Sequence, residues 1–155
     1  MKIEEELKSS FRNEYHKLAL NIFFTSNWLS QGQKKIFRQF NITVQQYNIL
    51  RILRGQKGQP VTIGNIKSRM LERESDVSRI VDKMKQRGWV KRYSCEEDRR
   101  ATHIFITEEG MQLLKDMDCH EADFDKMLSS LSDKEAEQLN SLLDKIRDFE
   151  PKEII

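Results

Sequence analysis

Apolar residues recur near the start of the chain at Leu7, Phe11, Leu18, Ile22, Leu29, Ile36 and Phe40, mostly at steps of three, four or seven. That spacing predicts one long amphipathic helix over about 7–40. Phe23, Phe24, Trp28 and Phe37 widen its apolar face. The helix then has one face for its own domain and another for a second subunit.

Helix starts follow in series. Thr43 and Gln46 have capping-box spacing, with Ile42 and Tyr47 set as a staple. The helix they open carries Ile49, Leu50, Ile52 and Leu53 and stops at Gly55, before a polar loop that runs to Pro60. Thr62 caps a short helix ending near Met70 or Leu71. Ser75 is the predicted N-cap of a second short helix, whose Val77, Ile80, Val81 and Met84 form one stripe. Gly88 stands where a left-handed residue closes a helix, and Met84 can meet Trp89 across that stop.

The period then changes. Trp89–Ser94 and Thr102–Thr107 are short β-prone runs around a charged hairpin tip, Cys95–Ala101. Thr107 caps a helix expected to continue through Leu113, Leu114, Met117, Phe124, Met127 and Leu128. Ser132 and Glu135 form another capping box, ahead of Leu139, Leu142, Leu143, Ile146 and Phe149. The expected fold is mostly α with a small β-hairpin wing: a winged helix-turn-helix whose terminal helices form a dimerisation region. It is read as a single domain over 1–155. The DNA-binding lobe covers 43–107, and the dimerisation helices cover 7–40 and 108–150.

Composition sharpens this reading. The 155 residues fit one core, and only 6 glycines and 2 prolines leave little room for long irregular loops. No apolar run approaches the ~18 residues of a membrane span, and MKIEEELKSS lacks the apolar stretch of a secretion signal. With two cysteines, Cys95 and Cys119, making no disulfide framework, a cytoplasmic location is expected. Net charge is +2, but residues 1–60 carry 10 basic against 4 acidic side chains, 61–107 carry 11 against 7, and 108–155 carry 6 against 14. The first two-thirds can approach a polyanion; the last third cannot.

A helix fits the major groove, and its amino-terminal residues reach base edges. Here those residues are Ser75, Asp76, Ser78 and Arg79, with Lys83 further along. Arg79 has the geometry for a bidentate guanine contact, typically worth ~1–3 kcal/mol of discrimination. Arg99 and Arg100 at the hairpin tip suit a narrow minor groove. Lys67, Arg69, Arg73, Lys91 and Arg92 can neutralise phosphates. Asp76 would be repelled by phosphates. A contact to cytosine N4, a pair with Arg73 or Arg79, and a favourable place at the helix amino terminus are all open to it, the structural roles being favoured.

The chain resembles the MarR family of bacterial transcriptional regulators over nearly its whole length. The strongest likeness runs from Asp76 to Gly110. It includes the recognition-helix run Val77–Arg92, the wing motif Asp98-Arg99-Arg100 and the turn Ile106-Thr107-Glu-Glu-Gly110. The resemblance implies a homodimer with recognition helices in successive major grooves of a pseudo-palindromic double-stranded DNA operator, and a repressor more than an activator. It also implies that Asp98 braces a wing arginine and that a small aromatic or anionic effector, or thiol oxidation, weakens DNA binding. Leu7, Phe11, Leu139, Leu142, Leu143 and Ile146 are the expected dimer contacts.

Other signals are weaker. The family's peroxide-sensing branch keeps its cysteine near the first helix, where this chain has none, so Cys95 and Cys119 read as ordinary residues. Cys119, His120 and Asp123 make a poor metal set, because adjacent helical residues point apart. Trp28, Phe23, Phe37 and Tyr47 could line an effector pocket but fit a plain core better. No glycine-rich phosphate loop, Gly-x-Ser-x-Gly elbow or His-Glu-x-x-His motif is present, so no enzyme activity and no cofactor are expected. The alternative is a winged-helix protein-interaction module that does not bind DNA. Cations on both the groove helix and the wing argue against it.

Overall fold

The computed structural model describes residues 2–8, 10–72, 75–94 and 102–148. The chain divides into two compact units, 1–120 and 121–155.

The first unit opens with α1 (Ile3–Leu7) and α2 (Glu14–Gln39). The expected single helix over 7–40 is therefore interrupted. Lys8 takes a left-handed backbone, φ 45°, and α2 restarts at Asn13, whose side chain accepts the His16 N–H at 2.9 Å. Lys17 Nζ lies 2.5 Å from Glu4 Oε1 and joins the two helices. The hydrogen bond between them holds the Glu4 carboxyl below, and the Lys17 ammonium above, their ordinary pKa values.

Helix α3 (Val44–Gly55) starts on the expected box. Thr43 Oγ1 accepts the Gln46 N–H at 3.2 Å, and Gln46 Oε1 accepts the Thr43 N–H at 3.0 Å. After β1 (Val61–Thr62), α4 (Ile63–Arg69) is capped by Thr62, and α5 (Val77–Gln86) follows. Strands β2 (Val90–Ser94) and β3 (Thr102–Ile106) form the wing, and α6 (Glu108–Asp118) begins at Thr107. The antiparallel sheet has the order β1-β3-β2, with Val61 opposite Ile104 and Arg92 opposite Ile104 on the other side. Strand β1 is too short to show a period of two, so the sequence pattern yields only the hairpin.

Ile49, Leu50 and Leu53 of α3 meet Ile66, Val81, Met84, Val90, Ile104, Leu114 and Met117 in one core, every one of them fully buried or nearly so. This core fixes the exposed side of α5. Arg54 Nη1 adds a polar clasp, donating to both carboxylate oxygens of Asp118 at 2.9 and 2.8 Å.

The helix expected to run on past Thr107 ends at Asp118. The second unit begins again with α7 (Glu121–Lys126), then α8 (Asp133–Arg147). The Ser132–Glu135 box forms as expected, and hydrogen bonds from Ser132 hold the Glu135 carboxyl below its ordinary pKa. Along α8, Leu139, Leu142 and Ile146 are exposed and Leu143 is half-buried. Leu7 is partly exposed at the end of α1, and Phe11 is half-buried with its ring 6.0 Å from His16. Among the described residues, no helix is long and apolar enough to cross a membrane.

Candidate nucleic-acid interface

Helix α5 buries Val77, Val81 and Met84 and leaves Ser78, Arg79 and Lys83 exposed. Arg79 and Lys83 are four apart, so they share one outward face. Asp76, not Ser75, is the N-cap: its Oδ1 accepts the Arg79 N–H at 3.1 Å. The expected cap therefore moves by one residue. Ser75 instead closes the preceding turn, its N–H donating to the Glu72 carbonyl at 3.1 Å and its hydroxyl to Glu72 Oε2 at 3.4 Å. Glu72 also accepts from Gln45 Nε2 at 3.1 Å, which ties the turn to α3. The carboxylate of Asp76 is thus given to the helix end, among the structural roles open to it, and the exposed cations are left to define the face.

The far end of α5 is fixed with equal care. The Gly88 N–H donates to the Lys85 carbonyl and the Trp89 N–H to the Met84 carbonyl, both at 3.0 Å, with Gly88 at φ 74°. This is a Schellman stop, and it turns the chain directly into β2. The Arg87 guanidinium lies 3.9 Å from the centroid of the Trp89 ring and donates to the Asn41 carbonyl. Thr107 links the stop to α6: its hydroxyl donates to the Gly88 carbonyl at 2.6 Å and accepts the Gly110 N–H at 3.1 Å.

The wing strand is braced to α5 by an ion pair, Arg92 Nη1 to Asp82 Oδ1 at 2.8 Å. Arg92, expected as a free phosphate ligand, has this intramolecular partner. Lys67, Arg69 and Lys91 are exposed. Arg73, Arg99 and Arg100 lie outside the described residues, as do Cys95 and Asp98. Asp82, Arg87 and the hydrogen bond from Thr107 to the Gly88 carbonyl support the site without being legible as supports in the sequence. Their partners are set by tertiary approach, and no local spacing reveals them.

The other candidates are dispersed. Phe37 is buried against Tyr47 with ring centroids 5.0 Å apart, whereas Phe23 is 71% exposed. Exposed Cys119 donates to the Asp116 carbonyl at 3.1 Å, and His120 meets Phe40 edge-on. Among the described residues, no three His, Cys, Asp or Glu side chains gather as a metal site.

Comparison with known proteins matches the same region. The model of the MarR family matches residues 40–101. The HTH-type transcriptional regulator PecS of Dickeya dadantii is 29% identical over 121 residues, 76% of this chain and 72% of PecS. MhqR of Bacillus subtilis, also an HTH-type transcriptional regulator, is 28% identical over 119 residues, 76% of this chain and 81% of MhqR. The fold is that of a mutant MarR from E. coli solved with operator DNA, at TM-score 0.77 and 21% identity, covering 89% of this chain and 99% of that one. With its capped helix pair, its hairpin and these likenesses, the chain is similar to the MarR family over residues 40–101 and has the fold of its winged-helix proteins.

Proposed function

We propose that this chain is a sequence-specific DNA-binding transcriptional regulator, a repressor, that binds a pseudo-palindromic operator as a homodimer. The observation that carries this reading is the outward face of α5, where Ser78, Arg79 and Lys83 stand opposite the buried Val77–Val81–Met84 stripe. A helix anchored by its apolar side and capped at both ends presents its polar side rigidly, as base reading in a major groove requires. Ser75 and Asp76 set the start of that helix, and Arg73, Arg99 and Arg100 add backbone and minor-groove contacts in the same proposal. The neighbour solved with operator DNA supports the choice of partner.

The lobe over 43–107 serves DNA, and the segments 7–40 and 108–150 serve dimerisation, through Leu7, Phe11, Leu139, Leu142, Leu143 and Ile146. Work in the cytoplasm and relief of binding by a small aromatic or anionic effector belong to the same reading. The test is the salt dependence of binding to duplex DNA. A steep fall in affinity with rising salt supports the proposal; no duplex binding at low salt would favour a protein-interaction module.

A further inference from the structure

A groove runs beside α5, between the carboxy-terminal end of α2 and the amino-terminal end of α3. Arg38, Ile42, Thr43, Gln46, Lys83 and Arg87 are on the wall of one part of it. The adjoining part shares Thr43, Gln46 and Lys83 and reaches Asp76 and Arg79. The first part thus gathers three cations and no carboxylate. Neither Arg38 nor Lys83 has a side-chain hydrogen bond or ion pair with any described residue. Arg87 is held in place by Trp89 and the Asn41 carbonyl.

Gln46 adds a directed donor. It is only 7% exposed, and its Oε1 is taken by the Thr43 N–H. Its Nε2 has no acceptor among the described residues, yet no fully buried side-chain atom there lacks a partner. The amide nitrogen therefore keeps exposed surface, on a residue that lines the groove. A part of the groove with an amide donor, three positive charges and no carboxylate of its own suits an anion, the Asp76 carboxylate lying in the adjoining part.

We propose that this groove seats one backbone phosphate of the DNA, on the strand that passes along the α3 side of α5; the inference rests on the DNA-binding reading above. The geometry favours DNA over a free effector. The major groove is about 12 Å wide and a helix with side chains about 10–12 Å across, so phosphates line both flanks of a seated recognition helix. Lys83 belongs to the groove and to the outward face of α5 at once, so whatever binds there lies beside the bases that Arg79 reaches. Ile42 and Ile80 are the apolar residues of the lining, and the groove is open to solvent, unlike the enclosed apolar cavity that suits a small aromatic ligand.

The test uses the full chain and duplexes in which one phosphate at a time is replaced by a neutral methylphosphonate. One position per half-site should weaken the wild type yet have no effect in Arg38→Gln or Lys83→Gln. Arg38→Gln should also lower the slope of log affinity against log salt by about 0.9 per phosphate lost. Lys115→Gln, on α6 and outside the groove, should leave the slope unchanged. Unchanged thermal stability of Arg38→Gln would show that folding is not the cause. A methylphosphonate scan that treats wild type and Arg38→Gln alike overturns the proposal. If inorganic phosphate then shifts the backbone amide signals of Thr43 and Gln46, the groove is a small-anion site instead. Should the wild type bind no duplex at any salt, the DNA reading fails with it, and the two failures are told apart.

Discussion

Asp82 on α5 and Arg92 on β2 form an ion pair 2.8 Å long, so the wing strand is held against the helix proposed to read DNA. Both groups are partly exposed, and such a pair contributes about 0–1 kcal/mol to stability and is screened by salt. Its effect should therefore appear in binding. Asp82→Ala removes a negative charge near the DNA and frees Arg92. Affinity for random duplex should rise while the ratio of operator to random binding falls, with little change in Tm. Titration against both duplexes checks this; an unchanged ratio would show that the brace has no role in recognition.

Asp76 and Ser75 separate helix capping from turn closure. Asp76→Ala removes the acceptor of the Arg79 N–H and should cost about 1 kcal/mol, roughly 2–4 °C in Tm for a chain of this size. Ser75→Ala removes only a 3.4 Å hydroxyl contact and should stay within about 0.5 kcal/mol. Thermal unfolding of the two variants side by side decides the order.

Gly110 is fixed by closeness and not by backbone angle. A Cβ there would sit 2.3 Å from the Trp89 carbonyl oxygen and 3.0 Å from Ile106 Cγ1. Backbone must move to admit it, so Gly110→Ala should destabilise by about 1–3 kcal/mol. Trp89 closes α5, so the variant should also bind operator more weakly than its lost stability explains. Denaturant unfolding and operator binding, measured together, test both parts.

The apolar side of α8 tests the dimer. Leu142 is 60% exposed in the single chain, so Leu142→Asp should leave the protomer folded and break the assembly. Light scattering should report a monomer with undiminished helical circular dichroism. A dimer of wild-type strength would remove Leu142 from the interface.

What the sequence makes legible follows from the range of each interaction. The Thr43–Gln46 and Ser132–Glu135 boxes and the stop at Gly88–Trp89 are local, spanning a few residues each, and all three are readable from spacing. Asn13 escapes such a reading because Leu7 and Phe11 keep a helical spacing across the break at Lys8, which hides the capping residue behind an apolar period. Ser75 and Asp76 are both good N-caps, and only the Glu72 turn decides between them. The Asp82–Arg92 brace and the groove that joins Arg38, Gln46 and Lys83 arise from elements brought together by the core, where no spacing rule reaches.

The central claim is that Arg79 on α5 reads DNA sequence, and selection of bound duplexes from a random pool at physiological salt tests it most directly. Wild type should recover an inverted repeat with half-sites about one helical turn apart, and Arg79→Ala should relax one base position in each half-site while leaving others intact. Recovery of no motif by the folded wild type, or of an identical motif by Arg79→Ala, would contradict it.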